Sequence, residues 1–599
     1  MKNLLLILTF LFLHCSFSQG QQYVVKSDHI LNPDLNIEYV RNNVEFWIKN
    51  AYDSTYGGFY SSVNRNGSLR STTQKSLISQ TRHGYGFTRA FMLTGDETYL
   101  TYAKSALDFL FNHGWDTTND GWYCFANRDG SLDNRDYWNP NSWKWGFQQH
   151  YALVGIIANY EATRDVTVKN WMDKGNNSLY THMWDSRPGF EGYYSDASAN
   201  WSTKSGKGFT PTVDGITTNA ELTYLITKNP AHKARFMQMA DNIVNRFIPT
   251  MDDSRVKVLY PEEYNNDWVP DYNKTGGSVG HFIKTAWCLG RAYLCDTTRK
   301  EIKAAAIKIL DEAWTYQNGT VSVWDHVNGG PFNGINIANG AWGSNGDSKD
   351  YWTLEQGFTG PMINYYITKN PIYLQMADES LDFFMKHMVD SVYGEIFSLL
   401  DPVGTTVRKD GDIKGDDFKA SYHSVELGYY AYLYSNLYHL HQPASLYYKF
   451  AASGVSQNIS LSPIPMEEGL LRIKSVTLDG SDFTNFDPVT RTLNIAANQG
   501  GKFKVTFESI SNAPLAVASI ESGHIKVFPN PTSGMITIDG MEQASRVLVV
   551  DLTGKILLEK QNQGKSSLGV NLQHLNPGIY FVVLHLNSGV KVIKKVIKL

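Results

Sequence analysis

Two histidines and one arginine occupy matching positions near the start of three separate apolar segments. These residues are His281, His423 and Arg82. If the three segments are helices that enter one pocket from the same end, the imidazoles can face one carbon from opposite sides and the guanidinium can hold an anionic oxygen. That arrangement suits removal of a proton from one face of a carbon and its return to the other. A histidine taken alone is more often a hydrogen-bonded structural residue, so the matched placement carries the argument.

Other residues in the corresponding stretches suit the binding of a sugar. Trp352 offers a flat ring beside the carboxylate of Glu355, and aromatic residues make up 13% of the chain. Aromatic faces in a cleft suit pyranose rings, although most aromatic residues belong to ordinary cores. We predict substrate contacts at Trp352, Glu355, Tyr422, Phe418 and Asn219.

A repeated helical scaffold would position these side chains. Amphipathic segments begin after short polar stretches such as Thr227-Lys228-Asn229-Pro230, in which Asn suits the N-cap and Pro the first turn. The amphipathic helices are predicted near residues 34–51, 97–113, 167–183, 231–249, 299–316 and 371–388. Each is followed by a second, more apolar helix, near 75–95, 142–164, 212–228, 278–295, 350–369 and 418–441.

Six pairs of this kind favour an outer ring of helices packed on an inner ring, an all-α (α/α)6 barrel over residues 28–450. An open solenoid of helix pairs is the alternative, but its loops are typically shorter. Long Gly- and Asp-rich loops enter the inner helices, which predicts a pocket at that end. The first turns there also offer positive helix ends to a developing oxyanion.

Composition limits the partners of the protein. The 599 residues carry a formal net charge of -4 without blocks of like charge, which argues against nucleic acid as a partner. Residues 1–18 read as a secretory signal peptide, and no later stretch is predicted to cross a membrane. After cleavage Cys124, Cys288 and Cys295 remain, without metal-ligand spacing. We predict neither a disulfide framework, a metal nor a cofactor.

Beyond the helical region the pattern changes to short alternating strands. Residues 454–515 read as a small all-β module, and residues 524–599 as a second one. The second carries, in order, the motifs VFPNPTSG from Val527, VDLTGK from Val550, LNPGIYFV from Leu575 and a basic last strand. It resembles the C-terminal sorting domain of the type IX secretion system of Bacteroidetes. The resemblance implies that secretion machinery as a partner, export across the outer membrane, and release or surface anchoring.

The helical region resembles the N-acylglucosamine 2-epimerase superfamily, which includes cellobiose 2-epimerases and aldose–ketose isomerases. The resemblance is carried by short motifs: Asp53 with Gly57-Gly58-Phe59, Gln80-x-Arg82 followed by Phe87, Gly280-His281, Trp352 with Glu355-Gln356, and Tyr422-His423. It implies an (α/α)6 barrel and an enzyme in which His281 and His423 are the acid/base pair. Arg82 would hold the oxyanion and Trp352 would stack on a mono- or oligosaccharide.

The sequence departs from the family pattern at four positions. Thr223 stands where a histidine is common, Lys284 where an acidic residue often follows the first catalytic histidine, Phe418 where cellobiose epimerases carry a tryptophan, and Glu426 where an arginine is frequent. These differences bear on the substrate and on how ring opening is assisted.

Other functions use the same residues. A glycoside hydrolase needs two carboxylates across the cleft, for which Glu355 with Asp214 or Glu426 are candidates. A polysaccharide lyase needs a histidine or tyrosine base with a charge-neutralising arginine, and export fits polysaccharide degradation. A non-catalytic glycan-binding protein is favoured if the two histidines do not face one another.

Overall fold

The computed structural model describes residues 23–133, 142–467, 469–510, 525–542, 544–551, 556–562, 564–586 and 591–599. The predicted signal peptide lies outside the described residues. The chain divides into two compact units, the first ending at Ile510 and the second comprising the rest of the chain.

The first unit is built mainly from helices, in which long outer and inner helices alternate along the chain. A short helix, α1 (Asp28–Leu31), comes first. The outer helices are α2 (Leu35–Ala51), α4 (Thr98–His113), α6 (Val166–His182), α8 (Pro230–Asn242), α10 (Lys300–Thr315) and α12 (Pro371–Phe383). The inner helices are α3 (Leu77–Thr94), α5 (Gly146–Thr163), α7 (Glu221–Thr227), α9 (Val279–Cys295), α11 (Tyr351–Thr368) and α13 (Tyr422–Tyr434).

Irregular turns extend several of these helices. The π-helical segments are Thr210–Asp214, Ile216–Ala220, Ile243–Phe247, Phe384–Met388 and Ser435–Leu440, and the segment Ile248–Asp252 is 3₁₀-helical. Two of the π-helical segments precede α7, so the third inner helix begins as an irregular helix. Each predicted helix coincides with an observed one.

Burial separates the two sets of helices as their patterns predict. In α3 every residue from Leu77 to Leu93 is buried, whereas α4 buries only one side. The side chain of Asn229 caps α8 by accepting from the backbone N–H of Ala231, as predicted. Helix α3 packs against α5, α9 against α11, and α11 against α13, while α13 also packs against α3. The most apolar helices therefore lie together at the centre of the unit.

Two inner helices begin later than predicted. Helix α5 starts at Gly146 because the three residues before it form the strand Trp143–Trp145, which pairs with Asp196–Ser198. Helix α13 starts at Tyr422, and His423 lies in its first turn. At α5 the apolar pattern continues through the strand, which is why the sequence places the start of that helix too early.

Short antiparallel strand pairs link each long loop to the next. The pairs are Gln74–Ser76 with Phe125–Asn127, Trp143–Trp145 with Asp196–Ser198, Lys207–Gly208 with Glu263–Tyr264, Gly276–Ser278 with Gly334–Asn336, and Lys349–Asp350 with Leu399–Leu400. A single bridge between Val63 and Gly415 links the last loop to the first. The smaller strands are Trp184–Asp185 with Gly192–Tyr193, Lys204–Ser205 beside Asp196–Ser198, and Gln317–Asn318 with Val321–Ser322.

A buried lysine recurs just before the inner helices and neutralises an aspartate of a loop. The pairs are Lys75–Asp53 (2.9 Å), Lys144–Asp116 (2.9 Å), Lys207–Asp185 (2.8 Å), Lys349–Asp325 (3.2 Å) and Lys414–Asp390 (3.0 Å). Each of these lysine side chains is fully buried. Aspartate oxygens in these pairs also accept backbone N–H groups of their own loop, for example Thr118 N donating to Asp116. The pairs thereby fix the loops at the ends of the inner helices.

Strands complete the first unit beyond the last helix. One sheet has the order Ala444–Phe450, Gly501–Ser509, Leu471–Leu478 and Ser481–Asp482. A second has the order Gln457–Ser460, Thr492–Ile495 and Phe486–Asp487. Buried residues of these sheets belong to the same apolar core as residues of α2, α3 and α13.

The second unit is a β-sandwich-like structure of two antiparallel sheets. One sheet contains Lys526–Phe528, Met535–Asp539 and Ser567–Asn571, and the other contains Ile556–Gln561, Ala544–Val550, Gly578–Leu586 and Lys591–Lys598. Ile536 and Val570 of the first sheet share one apolar core with Val547 and Val582 of the second. None of the helices described in either unit has the length and hydropathy needed to cross a bilayer.

Candidate active site

A cavity of about 370 Å³ opens where the first turns of the inner helices meet the long loops. Five of the predicted site residues line it: Arg82, His281, Trp352, Phe418 and His423. They come from α3, α9, α11, the loop before α13, and α13 itself. Contacts behind the cavity also join positions that are far apart in the chain. The hydroxyl of Tyr85, for example, donates to Glu426, which lies 341 positions later.

His281 is held by its helix end and by a carboxylate. The Ser278 side chain caps α9 by accepting from the backbone N–H of His281, and the imidazole stacks on Phe209 with ring centroids 3.8 Å apart. Nδ1 of His281 lies 2.7 Å from Oε2 of Glu262, to which an Nδ1–H donates. This hydrogen bond fixes the ring and leaves Nε2 as the free nitrogen.

His423 has the same kind of partner in a more buried setting. Its Nδ1 lies 2.7 Å from Oε2 of Glu355, whose side chain is 0% exposed, and the amide of Gln356 donates to the same oxygen at 2.7 Å. Burial, followed by the positive charges of Arg82 and Lys284, lowers the pKa of His423 well below its ordinary value. His423 is therefore a neutral imidazole at neutral pH, able to accept a proton.

The Trp352 ring lies near both histidines. Its ring centroid is 5.1 Å from that of His281 and 6.3 Å from that of His423. The ring approaches the backbone of Gly280, where a Cβ would overlap it. Gly280 thus permits the close approach of the Trp352 ring to the backbone of α9. The two imidazoles flank one aromatic face of one cavity.

Arg82 is buried without a carboxylate partner. Its guanidinium donates to the backbone oxygen of Phe418 and lies 4.5 Å from the ring centroid of Tyr151 and 5.3 Å from that of Tyr422. Within the described parts of the chain it forms no ion pair, and its Nε has no hydrogen-bond partner. Since a buried guanidinium without an anion is costly, the arrangement is suited to receiving an anionic oxygen.

Three predicted contacts lie away from the cavity surface. Glu355 lies behind His423, and Tyr422 is fully buried with its ring 4.8 Å from that of Tyr85. Asn219 is buried in a π-helical segment, where its Oδ1 accepts from the hydroxyl of Thr223 at 3.0 Å. Phe418, in contrast, is 37% exposed and lies edge-on to Phe147 at the cavity. Direct substrate contacts by Glu355, Tyr422 and Asn219 stay predictions.

Lys284 stands where the family often has an acidic residue, and it is paired with an acidic residue from another part of the inner ring. Nζ of Lys284 lies 2.6 Å from Oδ1 of Asp214, and both residues line the cavity. Burial alone would lower the pKa of Lys284, but the charge of Asp214 outweighs burial and raises it. The negative charge near His281 is therefore supplied by Asp214, which lies in the π-helical segment that precedes α7.

Sequence reasoning missed the partner of His281 and much of the cavity wall. Glu262 lies in an irregular loop 19 positions before His281, and no periodic pattern marks it. Phe147 and Tyr151, on α5, line the cavity beside Arg82. Their spacing of four along a predicted inner helix is the signal that would have placed them on one face.

Glu355, His423 and Glu426 form a compact buried cluster. One ligand atom from each lies within 4.8 Å of the others. Oε2 of Glu355, however, already accepts N–H groups from His423 and Gln356, which is the pattern of a hydrogen-bond network. We do not identify these residues as metal ligands.

The geometry combines two histidines, each oriented by its own carboxylate, with an aromatic face and an unpaired guanidinium. Such an arrangement on paired helices is suited to proton transfer. The sequence model of the N-acylglucosamine 2-epimerase (GlcNAc 2-epimerase) family matches residues 58–425, and the chain belongs to that family. Residues 526–599 match the secretion system C-terminal sorting domain.

Relatives with assigned activities cover nearly the same region. The chain is 24% identical over 410 residues to a cellobiose 2-epimerase of Bacteroides fragilis, spanning 66% of this chain and 95% of that protein. It is 21% identical over 382 residues to a D-mannose isomerase of Marinomonas mediterranea, spanning 61% and 88%. These proteins place the chain among sugar epimerases and isomerases.

Solved structures show the same fold. A crystal structure of a D-mannose isomerase superposes with a TM-score of 0.59 at 19% identity, covering 68% of this chain and 99% of the other. The cellobiose 2-epimerase of Spirochaeta thermophila superposes with a TM-score of 0.56 at 21% identity, covering 68% and 97%.

Proposed function

We propose that this protein is an exported sugar 2-epimerase or aldose–ketose isomerase that acts through His281 and His423. The observation that carries the proposal is that each imidazole has Nδ1 within 2.7 Å of its own carboxylate while both line one cavity beside Trp352. The activities named for the relatives, on cellobiose and D-mannose, support an aldose with a free reducing end as the substrate.

In the proposed reaction one imidazole removes the proton from C2 of the open-chain aldose. The electron pair of the broken C–H bond moves into the carbonyl, and the resulting enediolate oxygen is held by Arg82. His423 is a suitable base because it is neutral. For epimerisation His281 enters the reaction as an imidazolium, delivers its Nε2 proton to the other face of C2 and regains a proton from solvent, while His423 releases its proton to solvent. Delivery of a proton to C1, with proton transfer between the two oxygens, gives the ketose.

The scaffold proposed for this site is a closed (α/α)6 barrel. The packing of α13 on α3 and the bridge between Val63 and Gly415 support closure, because both join the last repeat to the first. Trp352 is proposed as the stacking platform for the reacting sugar, and exposed Phe418 as a further contact at the cavity mouth. For a hydrolase, Glu355 would have to reach the cavity, from which it is separated by His423.

The function is tested by incubating the purified protein with cellobiose, mannose and other reducing sugars in heavy water. NMR should detect deuterium at C2 of an epimeric aldose, or at C1 of a ketose. The proposal would be contradicted if new reducing ends or unsaturated uronates formed and no deuterium were found at C1 or C2 of the sugar. Those products would identify a hydrolase or a lyase, respectively.

The C-terminal unit is proposed to direct export through a type IX secretion system to the medium or the cell surface. Its match to a sorting domain and its own apolar core support a role in delivery. The proposed cavity residues all lie in the first unit.

Deletion of residues 524–599 is expected to leave sugar turnover intact while the protein accumulates inside the cell envelope. The reason is that the deleted unit has its own core and that the residues lining the cavity belong to the first unit. Turnover is measured on purified protein, and location by fractionation of an expressing host that has the secretion system. A truncated protein that is soluble and folded but inactive would contradict this separation of roles.

A further inference from the structure

Two buried carboxyl groups meet directly behind His423. Glu355 on α11 and Glu426 on α13 are 0% and 2% exposed, and an oxygen of one carboxyl group lies within 4.8 Å of an oxygen of the other. Oε2 of Glu426 is 4.0 Å from Nδ1 of His423, which is already bonded to Glu355. The three groups form a compact cluster behind the cavity.

The hydrogen bonds of Glu355 and Glu426 leave one oxygen of each carboxyl group without a donor, and a proton can lie on either of these two oxygens. Glu355 uses Oε2 for His423 and Gln356, and Glu426 uses Oε1 to accept from the hydroxyl of Tyr85 at 3.1 Å. The remaining oxygens, Oε1 of Glu355 and Oε2 of Glu426, are buried and have no donor. A proton on either oxygen supplies a donor to the other.

The neighbouring cations do not neutralise both carboxylates. Lys284 is bonded to Asp214 at 2.6 Å, and Arg291 to Glu221 at 2.9 Å. In the described parts of the chain no lysine or arginine forms an ion pair with Glu355 or Glu426. The titratable and charged groups facing the pair are Tyr39 on α2, Tyr85 on α3, Glu221 on α7, Lys284 and Arg291 on α9, and Tyr422, His423 and Tyr430 on α13.

We propose that Glu355 and Glu426 share one proton at neutral pH and that Glu426, acting through Glu355, is a positioning residue for His423. Two adjacent buried carboxyls cannot both ionise cheaply, so one charge is carried by the pair. Burial, and then the charge of Glu426 and its hydrogen bond, raise the pKa of Glu355 well above its ordinary value. The positioning role rests on the proposed function of His423, whereas the shared proton does not.

The shared proton has a consequence for the base. A single negative charge beside Nδ1 orients the imidazole and stabilises the imidazolium formed in the reaction. A second charge 4.0 Å away would favour the imidazolium before substrate arrives, and the ring could then not accept a proton. The shared proton therefore limits the pair to one negative charge, which leaves His423 neutral.

The first test measures the proton without substrate. Infrared difference spectra between the wild-type protein and Glu426→Gln at neutral pH should contain the C=O band of a buried protonated carboxylic acid, present only in the wild type. A difference spectrum is needed because other carboxyls contribute, such as Glu312, whose burial raises its pKa to about 7. Glu161→Gln, which changes a carboxylate bonded to Arg89 at 2.7 Å, is the control and should leave the band in place.

The second test follows stability against pH. Because the folded pair keeps a proton that the unfolded chain loses above about pH 4.3, the wild-type free energy of unfolding falls as pH rises until the folded pair ionises. Glu426→Gln removes this dependence, so its stability relative to the wild type should increase over the same range. A constant difference across that range would overturn the proposal, as would a wild-type protein without the band or a stoichiometric divalent cation bound by the pair.

The positioning role is tested by comparing two replacements. Glu426→Gln can still donate to Glu355 and accept from Tyr85, whereas Glu426→Leu can do neither. We expect Glu426→Gln to exceed Glu426→Leu in kcat by about tenfold at neutral pH, the loss caused by leaving a buried polar group without its partner. Equal kcat values would show that Glu426 does not position His423, while the infrared result would still decide the shared proton.

Discussion

Replacing His281 or His423 by alanine is expected to reduce turnover about 10²- to 10⁴-fold in each case, with the protein still folded. The physical reason is that the two imidazoles come from different helices, α9 and α13, and are proposed to serve opposite faces of the same carbon, so that neither can replace the other. The measurement is kcat on the aldose identified by NMR. Isotope exchange adds a sharper readout: a variant that exchanges the C2 proton with solvent but forms no epimer has lost only the second acid.

His326→Ala is the matched control. His326 is exposed and bonded to the backbone oxygen of Trp314, and it does not line the cavity. Its replacement should leave turnover within about twofold of the wild type, as expected for a surface change away from the site. Near-normal rates in both His281→Ala and His423→Ala would mean that the two-histidine mechanism is wrong and that a carboxylate mechanism through Glu355 takes its place.

Replacing Lys284 by methionine is expected to lower the free energy of unfolding by about 3–5 kcal/mol, because it leaves Asp214 as a buried charge without its partner. Both side chains are at most 5% exposed. Denaturant unfolding followed by tryptophan fluorescence measures the effect in the first unit, since all 15 tryptophans precede residue 510.

Two further variants distinguish the cost of leaving Asp214 as an isolated buried charge from the cost of removing a lysine in general. The double replacement Lys284→Gln with Asp214→Asn removes both charges and should cost less than Lys284→Met, because no isolated charge remains. Lys308→Met breaks an exposed pair with Asp252 and should cost less than about 1 kcal/mol. If Lys284→Met costs no more than Lys308→Met, the pair with Asp214 does not stabilise the first unit.

The helices were predictable because their signals are local. An apolar stripe on α4 and apolar residues all round α3 follow from the spacing of residues within each segment, and Asn229 caps its helix through a neighbouring backbone group. The C-terminal sorting motifs are likewise contiguous in the chain. Family membership, confirmed over residues 58–425, rests on short motifs of the same kind.

The buried lysine–aspartate pairs show what local signals leave out. Asp53 was recognised as part of a loop motif, but its partner Lys75 lies 22 positions later in an ordinary polar stretch. The pairing recurs in five repeats, in which the lysine follows its aspartate by 22, 28, 22, 24 and 24 positions. Because the spacing within these pairs is not constant, the recurring lysine–aspartate pairs are recognised in the folded structure and not in the sequence.

By itself the sequence determined which helices form, which of their ends carry histidine and arginine, and that a sorting domain follows. Tertiary structure alone decided that Glu262 orients His281, that Glu355 lies behind His423 instead of on the cavity surface, and that Lys284 is balanced by Asp214. Helix formation follows from neighbours three or four positions apart, whereas these contacts join side chains from different elements. Their protonation and orientation depend on burial and on nearby charges, which exist only once the chain has folded.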